Sequence, residues 1–174
     1  MSANDQIINR VESSGLLQID LEEFRPAGER VAIDIADQLF QGLVLREKDF
    51  RTYIKETDWS TFQDKHVALF CSTDAIIPNW AFMLLASKLQ AVATTVEFGD
   101  LEQLETALYK KALAHIDYSK FQDERVVIKG CSDEAVPTSA YVLLTNRLTP
   151  YVKSIMFGEP CSTVPVYKKP RVKK

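Results

Sequence analysis

A chain of 174 residues with 46% hydrophobic content carries enough apolar mass to bury a core without disulfide or metal staples. Its net charge of -3 is unevenly spread. Lys168, Lys169, Arg171, Lys173 and Lys174 crowd the C-terminal end, leaving 24 acidic against 16 basic side chains elsewhere. An acidic body argues against a nucleic-acid footprint over the whole domain, and residues 168–174 read as a basic, flexible, solvated tail. No N-terminal segment joins a basic start to an apolar run, and no stretch approaches the roughly 20 apolar residues that span a bilayer. Neither a secretory signal nor a membrane contact is expected. Three widely spaced cysteines, Cys71, Cys131 and Cys161, fit a reducing cytoplasm better than a disulfide scaffold.

In chain order, Ile7, Ile8 and Val11 offer a short amphipathic pattern, and Ser13-Ser14-Gly15 punctuates it. Leu17, Ile19 and Leu21 alternate as a first strand, and Val31, Ile33 and Ile35 as a second. The Pro26–Gly28 turn between them predicts an antiparallel pair. Leu39–Leu45 is apolar and fits helix or strand. A helix follows over 46–56, with Phe50, Tyr53 and Ile54 on one side.

Residues 58–99 then recur, shifted by 59 positions, as residues 117–158, with 14 of 42 paired positions identical and no gap. That is an internal duplication. In each copy an aromatic anchor (Trp59, Tyr118) precedes a strand, 66–70 or 125–129, that is continuously apolar over 67–70 or 126–128. Burial on both faces, as in a parallel sheet, explains the absence of alternation. Pro78 and Pro137 open helices over 79–89 and 138–148, because proline is tolerated in a first helical turn. Short strands 94–98 and 153–157 end at Gly99 and Gly158, and Leu101, Leu104, Leu108 and Leu113 mark a helix over 100–114. Each unit, about 45–99 and 104–158, therefore reads helix–strand–helix–strand. The predicted fold is one α/β domain over 1–167, with a mixed, mostly parallel sheet flanked by helices and an N-terminal strand pair. Residues 159–167 hold two prolines and no helical period, and are expected as a structured loop with a short extended piece.

Ligands of open α/β sheets bind beyond the carboxyl ends of the strands. Three stretches land there: Cys71, Ser72 and Asp74; Cys131, Ser132 and Asp133; and Glu159, Cys161, Ser162 and Thr163. Together they make a candidate rim for a small molecule or anion. The three cysteines could supply thiolates to zinc or iron, although spacings of 60 and 30 residues match no metal motif. His66 and His115 fall away from the rim, which argues against a cysteine–histidine nucleophile. Asp74 and Asp133 read either as paired carboxylates or as repeated braces of the strand-to-helix turn, and the repetition favours the brace. No dinucleotide, P-loop or nucleophile-elbow fingerprint is present, so no cofactor is expected. The competing reading is a non-enzymatic interaction or regulatory module, self-associating or not. It predicts an exposed apolar patch around Trp80, Phe40 or the 100–114 helix.

The segments GERVAIDIADQLFQGLVLREKDFR, CSTDAIIPNWAFMLLASKL and VVIKGCSDEAVPTSAYVLLTNRLTPYVKSIMFGEPCSTVPVYK resemble domain of unknown function 2480, a family of small bacterial proteins found mainly in the Bacteroidetes. The resemblance covers roughly residues 6–168. It implies a compact cytoplasmic protein and assigns no residue a role. The first half is more faintly similar to sulfate-transporter/anti-sigma-antagonist domains, which bind protein partners. Gln41-Gly42 stands where their phosphorylatable serine would be.

Overall fold

The computed structural model describes residues 9–11, 15–130, 136–159 and 162–170. Cys131, Ser132, Asp133, Cys161 and the tail beyond Pro170 lie outside the described residues. The chain divides into two compact units. One is Ala27–Ala107; the other joins the residues before Ala27 to those from Leu108 onward.

The Ala27–Ala107 unit holds three parallel strands in the order β3 (Arg30–Asp34), β4 (His66–Phe70), β5 (Thr95–Phe98). Helix α1 (Glu47–Glu56) precedes β4, and α2 (Asn79–Leu89) crosses from β4 to β5. Its core joins Ile33, Val67 and Leu69 of the sheet to Phe50 and Ile54 of α1 and to Ala81, Leu85 and Leu89 of α2. The α2 residues recur every four positions, which puts them on one helical stripe. All four of His66, Val67, Ala68 and Leu69 are buried, so β4 is covered on both faces, as its unbroken apolar run requires.

The second unit repeats this plan. Its sheet runs β1 (Asn9–Val11), β2 (Leu16–Ile19), β6 (Arg125–Ile128), β7 (Ser154–Glu159), β8 (Ser162–Lys168). β2, β6 and β7 are parallel, and β1 and β8 add antiparallel edges. Helix α3 (Leu101–Ala114) carries the chain across the division, and α4 (Thr138–Leu148) joins β6 to β7. Ala140, Leu144 and Leu148 form the stripe that Ala81, Leu85 and Leu89 form on α2.

The duplication holds to single hydrogen bonds. Asp58 and Asp117 accept from the amides of Ser60 and Ser119 and start matching 3-10 turns. Trp59 Nε1 and Tyr118 Oη donate to the carbonyls of Ile54 and Leu113, both at 2.9 Å. Asp64 and Asp123 take φ of 59° and 58°, and their amides reach Val92 O and Tyr151 O. The copies part at matched glycines. Gly99 and Gly158 have φ of 130° and 121°, which disfavours any side chain. After Gly99, Asp100 and Gln103 cap α3 reciprocally, side chain to amide, each at 2.9 Å. After Gly158 the chain instead turns back as β8.

Three expectations need correction. The strands at 16–19 and 30–34 do not pair with each other: β2 lies antiparallel to β1 and parallel to β6, while β3 lies parallel to β4. Alternating residues mark any strand with one exposed face or edge, so the pattern was silent on direction. The segment expected as a structured loop with a short extended piece is extended over most of its length as β8, where Pro165 is tolerated at a sheet edge. Lys168 ends that strand and Lys169 Nζ reaches Asp123 at 3.1 Å, so the expected tail begins inside the sheet's edge.

Leu85 and Leu144 occupy equivalent, fully buried positions. Leu85→Ala and Leu144→Ala should each lower unfolding free energy by about 2–5 kcal/mol, read from urea unfolding monitored by circular dichroism.

Candidate functional site

In the Ala27–Ala107 unit the carboxyl edge is organised by Asp34, at the end of β3. Its Oδ1 accepts from Ala36 N at 2.9 Å and from Ser72 N at 3.0 Å. One carboxylate thus starts the 3-10 turn after β3 and ties down the loop after β4. Burial pushes the Asp34 carboxyl up, but the Ser72 hydroxyl and the Ala36 and Ser72 amides outweigh it and hold the group below its ordinary value. Within the expected rim, Cys71 is half-buried, with its thiol 3.2 Å from Thr73 Oγ1 and 3.6 Å from Thr73 O. Ser72 and Asp74 are exposed. The Ser72 amide of this loop goes to Asp34.

The same device recurs in the second unit. Asp20, at the end of β2, accepts from Glu22 N at 3.0 Å and from Lys129 Nζ at 2.7 Å. Asp20, by that hydrogen bond and by its charge, raises the Lys129 ammonium above its usual value. Burial first, then the Asp20 charge, pushes the nearby Glu23 carboxyl up. Glu159, Ser162 and Thr163 meet on the β7–β8 hairpin, where Glu159 pairs with Ser162 and Gly158 with Thr163. Thr163 Oγ1 lies 3.7 Å from Met156 Sδ. Cys71, Ser72 and Asp74 therefore belong to one unit and Glu159, Ser162 and Thr163 to the other. Among the described residues, no group of three or more His, Cys, Asp or Glu is placed to hold a metal ion.

Asp20 and Asp34 were missed as organising residues, yet a signal for them exists. Ile19-Asp20-Leu21 and Ile33-Asp34-Ile35 repeat an aliphatic–Asp–aliphatic pattern 14 positions apart, each leading into a 3-10 turn. The repeat is too short to stand out without the sheets to align it.

A groove of about 600 Å³ opens in the second unit, lined by Ile128, Thr138, Tyr141, Val142, Phe157 and Val166 together with Thr145 and Asn146. It starts at the carboxyl end of β6 and runs along the outer face of α4. Its lining is mainly apolar. Tyr141 packs edge-on against Phe157, with ring centres 5.7 Å apart and planes at 81°. At the equivalent place in the other unit, Phe82 meets Phe98 at 5.0 Å and 88°.

The geometry defines an α/β protein of two related strand–helix units, each edged by an aspartate brace and an outward apolar face. The chain belongs to the family described as Protein of unknown function (DUF2480), whose model matches residues 5–169. No curated protein and no solved structure matches it. No helix among the described residues is long and apolar enough to cross a membrane.

Asp34→Ala should destabilise the chain by about 1 kcal/mol at neutral pH, as loss of a capping carboxylate does. The lowered carboxyl stabilises fully above the unfolded-state value near 3.9, and this is lost as pH falls through the folded-state value. Thermal melts should therefore differ most between Asp34→Ala and the native chain above the unfolded-state value, and approach each other as pH falls through the lowered folded-state value.

Proposed function

We propose that the protein is a non-enzymatic interaction module that meets a protein partner through the apolar faces of α2–β5 and α4–β7. One observation carries this reading. Met83 and Phe98 are each 70% exposed, and the residues 59 positions later, Val142 and Phe157, are 57% and 38% exposed. A duplicated core has to match at buried positions, because packing fails otherwise. No such demand acts on the outer face, so apolar side chains matched there call for another cause. Single exposed apolar residues are ordinary, but in the second unit these line one continuous groove with Tyr141 and Val166. Leu101 and the turn residues Phe40, Leu43 and Val44 add exposed apolar surface where such a module was expected to have it.

A second reading keeps the small-ligand expectation. A groove of about 600 Å³ falls in the range of small-molecule pockets, and it begins at the strand's carboxyl end. Its apolar lining suits an apolar ligand better than an anion, with Thr138, Thr145 and Asn146 as the polar groups.

Benzoyl-phenylalanine placed at Met83 or Val142 and irradiated in cells should give a discrete protein adduct at each position. Phe98→Glu should abolish the first adduct and Phe157→Glu the second, while the same probe at exposed Lys120 gives none. If the partner is a second copy, the adduct has twice the 19.7 kDa chain mass. Absence of an adduct at both faces refutes the interaction reading. A ligand that raises the melting temperature while no adduct forms establishes the second reading instead.

A further inference from the structure

A second groove, of about 360 Å³, lies between α1 and α2 in the Ala27–Ala107 unit, lined by Arg51, Ile54, Lys55, Trp59, Leu84 and Lys88. Three cations thus surround a floor of three apolar residues on a chain whose net charge is negative. Arg51 is partly neutralised, with Nε 2.8 Å from Glu47 Oε1 on the same helix. Among the described residues, no ion pair involves Lys55 or Lys88. Both lysines stand in the last turns of their helices, where the helix dipole favours a cation. The dipole explains one lysine per helix. It does not explain why two helices and Arg51 bring their cations to one apolar floor.

The floor is rigid. Trp59 donates its indole N–H to Ile54 O, and its ring is packed by Tyr53 at 6.2 Å and by Phe62 at 5.9 Å. A single tryptophan supplies one aromatic surface here, where single-stranded nucleic acid uses a series of stacking side chains along a basic track, and nucleic-acid phosphates would approach an acidic chain. The equivalent positions of the other unit are Lys110, Leu113, Ala114, Tyr118, Leu143 and Arg147. Two cations recur there, but Ala114 replaces Lys55 and Tyr118 is buried, so the full basic groove belongs to the Ala27–Ala107 unit.

We propose that this groove receives an acidic segment of a partner protein, with an aliphatic or aromatic side chain of that segment seated on Ile54, Trp59 and Leu84 and its carboxylates facing Arg51, Lys55 and Lys88. Charge complementarity selects the occupant. A purely apolar segment would strand three cations at its edge, and a purely acidic one would leave the floor wet. The inference rests on the reading of the protein as an interaction module, but it assigns a different surface and a definite partner chemistry.

The test uses the full chain and a short fluorescein-labelled peptide of glutamates and aspartates around a central Leu-Phe pair. Binding is followed by anisotropy and by the Trp59 indole resonance. The peptide should bind and shift that resonance, and binding should weaken as salt is raised. Lys55→Glu with Lys88→Glu should weaken it by about tenfold or more while the circular dichroism spectrum is kept. Lys55→Gln with Lys88→Gln should give a smaller loss in the same direction, and serves if the reversed pair fails to fold. No binding, equal binding of a glutamine-for-acid peptide, an unmoved Trp59 resonance, or tighter binding of a single-stranded oligonucleotide would each overturn the proposal. Those failures would leave adducts at Met83 and Val142 standing. Peptide binding without such adducts would remove the apolar-face reading and keep this one.

Discussion

Three strands lying parallel cannot be joined by tight turns, so the segments leaving their carboxyl ends come from distant parts of the chain. In each unit the backbone ladder aligns the strands, and one carboxylate ties the end of one strand to the segment that follows its neighbour. Asp34 links the end of β3 to the Ser72 amide after β4, across 38 residues. Asp20 links the end of β2 to Lys129 after β6, across 109 residues. The second tie has a folding consequence. β6 and β7 acquire their third parallel strand from the N-terminal part of the chain, with the whole Ala27–Ala107 unit in between. That unit is continuous in sequence and should form first, because loop-closure entropy favours its shorter connections.

Much of this plan was legible in the residues. Pro78 and Pro137 followed by leucine-rich segments marked α2 and α4 to their ends, since a helix start is a local property. The unbroken apolar runs at 67–70 and 126–128 marked central strands for a similar reason. Pairing was not legible. β2 and β3 alternate alike, and only the position of a distant strand decides that each joins a different sheet. The candidate rim was read from strand ends, and those ends hold Cys71 and Ser72 as expected. The aspartates that organise the edges sit one strand over, where register alone reveals them.

The outward faces were harder still to foresee. Met83, Phe98, Val142 and Phe157 look like core residues in the sequence, because an apolar helix or strand position is usually buried. Their neighbours Phe82 and Tyr141 take the inner side of the aromatic pairs and leave these four toward solvent. Trp80 shows the opposite outcome. It was a candidate for an exposed patch, yet it packs edge-on against Phe50 at 5.9 Å and joins the periphery of the core. An apolar face is repeated by duplication, and a basic groove is present in one unit, so the molecule carries surfaces of two different chemistries.

The central claim is that the matched outer faces, and not the loops at the strand ends, are where the protein is engaged. Hydrogen exchange on the chain isolated with its native partners, compared with the stripped chain, tests this directly. The account predicts added protection over residues 79–89 with 95–98 and over 138–148 with 154–159. Added protection confined to residues 71–74 and 162–163, with the helices unchanged, would contradict it and return function to the rim.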